Sequence, residues 1–194
     1  MNICIFGDSI TWGAGDPIHG GWASLLQNYF QSQDRRIDVY NLGVSGDTTR
    51  DLLSRVETEA KARKAECIIF AIGVNDARRY LPKKKQEMTL CEFRSNLDTL
   101  LSTAKTFTDK IVFIGITPVD ESKTECIYDN LRYANKDIRY FDEAIKKLCR
   151  KNHLKYIPMN DLLCDEDFDD GLHPNTRGHK KIFDRISKEM EKIM

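Results

Sequence analysis

Asn2-Ile3-Cys4-Ile5-Phe6-Gly7-Asp8-Ser9 opens the chain with an unbroken apolar run that stops abruptly at Gly-Asp-Ser. A short continuous apolar run closed by glycine predicts a strand buried on both faces, the kind found in parallel sheets. Ser9 then stands in the first turn past the strand's carboxyl end. Open α/β sheets place their ligand sites at that edge. A serine hydroxyl is a poor nucleophile by itself. To act as one it needs a base, an acid that orients the base, and donors for an oxyanion.

Four further apolar runs read as buried strands, at 37–42, 67–73, 111–117 and 155–158. Longer segments with helical spacing lie between them. Trp22, Leu25, Leu26, Tyr29 and Phe30 share one helix face, as do Phe93, Leu97, Leu100, Leu101 and Phe107. Leu52, Leu53 and Val56 begin another helix, and Phe141, Ile145 and Leu148 mark a fourth. Ile182, Phe183, Ile186 and Met190 mark the last. Strands alternating with helices imply βαβ units and a parallel sheet in a three-layer α/β/α sandwich. No repeat or linker divides residues 1–194, so a single domain is expected. One connection, 118–135, is long and irregular enough to suggest that it caps the site or touches substrate.

Composition narrows the function. Lys plus Arg and Asp plus Glu are 30 each, so there is no basic excess of the kind nucleic-acid binders carry. Lys83-Lys84-Lys85 is the best candidate for a local basic patch and reads as a solvated loop after Pro82. The six cysteines lack Cys-x-x-Cys spacing, and Cys4 and Cys67 read as core residues. No apolar run approaches the ~20 residues of a membrane span. The first run is too short for a secretory signal and enters the serine motif directly, so a cytoplasmic protein is expected.

The chemistry gathers at the predicted strand ends. After the second strand comes Gly43-Val44-Ser45-Gly46-Asp47, after the third Gly73-Val74-Asn75-Asp76, and after the fifth Asp169-Asp170-Gly171-Leu172-His173-Pro174. In a parallel sheet these ends share one edge and can converge. His173 is a candidate base, with Asp170 three residues earlier to fold back onto its ring. Pro174 suits the first position of the last helix. His19, with Asp16 three residues before it, is a competing base that spacing alone leaves open. Gly43 can expose a backbone N–H, Asn75 offers a side-chain amide, and the N–H of Ser9 is a third candidate donor. The acidic run 165–170 fails the calcium-loop pattern at its sixth and twelfth positions, Asp170 and Thr176, and reads as a solvated loop. There is no Gly-x-Ser-x-Gly elbow and no phosphate-binding Walker loop.

These blocks, in this order, resemble the SGNH (GDSL-type) hydrolase family of lipases and esterases, with Ile10 where leucine is usual. The resemblance spans nearly the whole chain. It implies a flavodoxin-like five-stranded parallel sheet of order 2-1-3-4-5. It also implies Ser9 as nucleophile, His173 rather than His19 as base, and Asp170 as its orienter. Ser9, Gly43 and Asn75 would form the oxyanion hole. The implied activity is hydrolysis of a small-molecule carboxylic ester without metal or cofactor. The alternative is a non-catalytic module that binds acylated sugar or lipid in the same pocket.

Overall fold

A computed structural model describes residues 1–33, 36–81, 85–124 and 130–193. In chain order the elements are β1 (Asn2–Gly7), α1 (Ser9–Trp12), α2 (Gly21–Ser32), β2 (Asp38–Gly43), α3 (Thr49–Leu53), α4 (Val56–Ala62) and β3 (Cys67–Ala71). Then follow β4 (Arg79–Tyr80), β5 (Lys85–Gln86), α5 (Leu90–Lys105), β6 (Ile111–Ile114), α6 (Glu121–Thr124), β7 (Leu131–Arg132), α7 (Asn135–Lys151), β8 (Lys155–Ile157) and α8 (Thr176–Met190).

The main sheet has five parallel strands in the order β2-β1-β3-β6-β8, which is the expected 2-1-3-4-5 arrangement. Ile3, Cys4, Ile5 and Phe6 of β1 are fully buried, as a central strand covered on both faces requires. Helices cover the sheet on two sides. α2 packs on α8, and α3, α4 and α7 gather around α5. Phe6, Phe70 and Phe113 stand side by side on β1, β3 and β6, with ring centroids 5.9 and 5.0 Å apart. No helix among the described residues is long and apolar enough to cross a membrane.

Register is what positions the site. Gly7 lies level with Gly43 on one side and Ala71 on the other, so three strands end flush. The strand order reverses across β1, since β2 lies on one side and β3 on the other. Loops leaving such a switch point diverge and open a crevice. Ser9 follows β1 and Asn75 follows β3, on the two sides of that crevice.

The structure departs from the sequence reading in several places. The edge strands β2 and β8 are only partly buried. A second sheet of two-residue strands, β5-β4-β7, joins the segment after Asn75 to the long connection. The helix expected from Leu52 splits into α3 and α4 around Arg55. The guanidinium of Arg55 binds Asp47 and donates to the Gly7 carbonyl, 3.2 Å. The last helix starts after Asn175 instead of at Pro174. Asn175 Oδ1 accepts the N–H groups of Arg177 and Gly178, both 3.1 Å, a stronger start signal than proline. Finally, the acidic run is not wholly solvated. Asp167 is fully buried and paired with Lys181 at 2.6 Å. Part of the basic cluster and residues 125–129 of the long connection lie outside the described residues.

Candidate active site

Asp8 starts α1. Its side chain accepts the Ile10 N–H at 3.0 Å, which turns the chain sharply after β1 and leaves Ser9 as the first helical residue. The helix is only four residues long, so Ser9 sits at the crevice rather than being carried away from it. Ser9 Oγ lies 2.9 Å from His173 Nε2, across 164 residues of sequence. His173 Nδ1 lies 2.6 Å from Asp170 Oδ2.

The turn that carries His173 is built by Asp170 itself. Its other oxygen accepts the backbone N–H groups of Leu172 (2.8 Å) and His173 (2.7 Å). Burial raises the Asp170 carboxyl, but the bonds from the His173 ring and from those two N–H groups outweigh it and hold it at about 2. The carboxylate is therefore ionised at neutral pH. It accepts a hydrogen bond from Nδ1–H and so leaves Nε2 free to accept from the serine hydroxyl.

His19 has no such arrangement. Asp16 accepts the backbone N–H groups of Ile18, His19 and Gly21 and the Thr176 hydroxyl at 2.8 Å, so it shapes a loop and does not hold an imidazole. His19 is exposed. His179 is a packing residue. It is fully buried, accepts from Trp22 N at 3.2 Å and donates to the Ala14 carbonyl at 2.9 Å. His153 is exposed past the end of α7.

Ser9 and His173 open onto a cleft of about 440 Å³, lined also by Ser45, Gly46, Asn75, Arg78, Leu131 and Tyr133. Asn75 is buried, and its Nδ2 donates to the Asp47 carbonyl at 3.0 Å. The second amide proton is not required by that bond. Gly43 is placed differently from expectation. Its N–H donates to Asn41 Oδ1 at 3.0 Å, and it does not line the cleft. A Cβ at Gly43 would lie 2.2 Å from the Trp12 nitrogen, so this glycine exists to let α1 press against β2. Gly46 does line the cleft. Its φ of +87° suits glycine, and a Cβ there would meet nothing within 4 Å. The sequence offered both glycines in one four-residue stretch, and only backbone geometry separates them.

Asp76 carries a structural role that sequence reading missed. Fully buried, it accepts the N–H and hydroxyl of Thr49, the latter at 2.5 Å. This ties the Asn75 turn to the start of α3, just past Gly46. Burial pushes its carboxyl up to about 6 even against those bonds. Asp8 is pushed up to about 7, also mainly by burial. Among the described residues no group of three or more His, Cys, Asp or Glu side chains is placed to hold a metal ion. Of the six cysteines, Cys4, Cys67, Cys91, Cys149 and Cys164 are free thiols.

The chain matches the model of the family described as GDSL-like Lipase/Acylhydrolase family over residues 5–181. It is 36% identical over 192 residues to an acetylxylan esterase of Geobacillus stearothermophilus, covering 91% of this chain and 88% of that one. It is 25% identical over 195 residues to an arylesterase of Vibrio mimicus, covering 98% and 88%. The crystal structure of a lipase/acylhydrolase from Enterococcus faecalis shares its fold with a TM-score of 0.79 at 23% identity, covering 98% of this chain and 95% of that one.

Proposed function

The chain belongs to the GDSL-like lipase/acylhydrolase family, which acts on ester bonds, and on that premise we propose a serine esterase that uses Ser9, His173 and Asp170. The observation that carries the proposal is the unbroken hydrogen-bond chain from Ser9 Oγ through the His173 ring to Asp170.

In this reading Ser9 Oγ attacks the ester carbonyl carbon while His173 Nε2 takes the hydroxyl proton. The carbonyl electron pair moves onto oxygen and makes a tetrahedral oxyanion. Three donors receive it: the N–H of Ser9, the N–H of Gly46 in place of Gly43, and Asn75 Nδ2. The oxyanion collapses, and the alcohol leaves with the proton held by His173. Water then attacks the acyl-serine, with His173 again taking a proton. The second tetrahedral intermediate collapses, the bond to Oγ breaks, His173 returns its proton to Oγ, and the acid departs. Asp170 stays ionised throughout, holds Nδ1–H in a hydrogen bond and stabilises the imidazolium.

For substrate we propose short acyl esters of polar alcohols, acetyl esters first. Polar Ser45, Asn75, Arg78 and Tyr133 share the cleft wall with Leu131 and Leu172. The acetylxylan esterase relative supports the same direction.

The test is turnover of acetyl, butyryl and octanoyl nitrophenyl esters and of acetylated sugars, with Ser9→Ala as control. Ser9→Ala is expected to lose turnover of every ester and to resist fluorophosphonate labelling. Full labelling of that variant would remove Ser9 from the mechanism. A preference for octanoyl over acetyl would overturn the substrate assignment.

A further inference from the structure

The small sheet β5-β4-β7 reaches the site through a row of three side chains. Its register pairs Arg79 with Gln86 and with Arg132, and Tyr80 with Lys85 and with Leu131. Continuing both ladders by one residue sets Arg78 between Glu87 and Tyr133. The side chains obey that register. Arg78 donates to Glu87 through Nε (3.1 Å) and Nη2 (3.0 Å), and its guanidinium stands near enough to Tyr133 for the two to interact electrostatically. The Tyr133 hydroxyl donates in turn to Asn75 Oδ1 at 3.0 Å. Tyr133 is 2% exposed and Asn75 3%, so the last link is shielded from water.

The amide orientation is therefore determined from both ends. The Asp47 carbonyl can only accept, so it must face Nδ2. Tyr133 supplies the donor that Oδ1 needs. Hydrogen bonds in a chain polarise one another, and a positive charge beside the donor hydroxyl strengthens the bond it makes. A proton pulled toward Oδ1 makes the Nδ2–H groups better donors.

We propose that Tyr133 is a positioning residue for the reaction, acting through Asn75, and that Arg78 polarises it. The small sheet is then the scaffold that delivers this pair to the oxyanion site. The proposal rests on the reading of Asn75 as an oxyanion donor. Neither residue needs to touch the reacting atoms.

The experiment is a double-mutant cycle with an acetyl ester, reading kcat and KM separately. Asn75→Ala is expected to lower kcat by roughly 10²–10³, the scale of one lost oxyanion donor. Tyr133→Phe keeps the ring packing and is expected to lower kcat about fivefold to tenfold with KM unchanged, the fold-change equivalent of one ordinary hydrogen bond. In the Asn75→Ala background Tyr133→Phe is expected to change kcat less than about twofold, because its route is gone. Arg78→Met is expected to lower kcat in the wild type and to have no further effect in Tyr133→Phe. If Tyr133→Phe lowers kcat by the same factor with and without Asn75, or leaves kcat unchanged while Asn75→Ala impairs it, the positioning role is overturned and the oxyanion reading stands. If Asn75→Ala itself leaves kcat unchanged, the oxyanion reading fails and the positioning role falls with it.

Discussion

His173 and His19 each follow an aspartate by three residues, yet the two carboxylates are used in opposite ways. Asp170 bonds both the backbone and the ring of its histidine, whereas Asp16 is consumed by three backbone N–H groups and a threonine hydroxyl. His173→Ala is therefore expected to lower kcat by several orders of magnitude and His19→Ala to leave it within about twofold. The reverse ranking would move the base to the exposed loop. Gly43 and Gly46 make a second contrast. Gly43→Ala drives a Cβ into the Trp12 nitrogen and within 2.8 Å of the Asp8 carbonyl. Backbone meets backbone there, so the cost is expected to exceed the about 1–3 kcal/mol of ordinary overpacking. Gly46→Ala meets open space and pays only for its left-handed backbone, about 1–2 kcal/mol. Urea unfolding of the two variants separates these cases. Equal destabilisation would show that close approach of α1 is not what Gly43 provides.

Elements at the sheet's carboxyl edge are held together by contacts that cross long stretches of sequence. Asp76 joins the Asn75 turn to α3 across 27 residues, and Asp120 N donates to the Gly171 carbonyl at 2.8 Å, joining the long connection to the His173 turn. Val119 and Asn135 clasp the base of that connection with bonds of 3.0 and 2.8 Å. Asp76→Ala leaves the buried Thr49 N–H without its acceptor and the Thr49 hydroxyl with only the weak Met88 sulfur, and is expected to cost about 2–3 kcal/mol. Urea unfolding reads it, and a loss below about 0.5 kcal/mol would show that α3 holds its start without Asp76. Such contacts explain what the chain did and did not disclose. Central runs such as Ile3 to Phe6 are buried on both faces, so their composition announced those strands and the edge where they end, whereas the edge strands β2 and β8 are only partly buried. β4, β5 and β7 have two residues each, too few for any periodicity, and the β4–β7 pairing joins partners about 50 residues apart. Asp170 and His173 were legible because their bond is local. Asp76 and Tyr133 were not, because nothing near them in sequence names the group they bind.

The whole molecule carries opposing pH dependences, and Asp8 dominates one of them. Burial lifts its carboxyl from an ordinary 3.8 to about 7, with Asp76 and Asp47 adding to the rise and the Ile10 N–H and His173 opposing it. Below pH 3.8 both folded and unfolded chains hold the proton, and the stabilisation is fully present. As pH rises the unfolded carboxyl ionises first, and the stabilisation is lost progressively until about pH 7. Asp76, at about 6, acts in the same direction over a shorter window. Asp170 acts in the opposite direction. Held at about 2, it stabilises the fold above pH 3.8, and that contribution disappears as pH falls through about 2. His179 also opposes Asp8, because burial depresses its ring from 6.5 and the fold loses stability as pH falls below that value. Asp8→Asn isolates the first effect. Asparagine keeps the acceptor for Ile10 N and is an equally good helix start, but it has no charge to desolvate. The variant is expected to match the wild type in Tm near pH 4 and to exceed it at pH 8. Thermal unfolding across that range measures the difference. A wild-type curve parallel to that of Asp8→Asn from pH 4 to 8 would mean that Asp8 ionises in the folded protein as easily as in the unfolded chain.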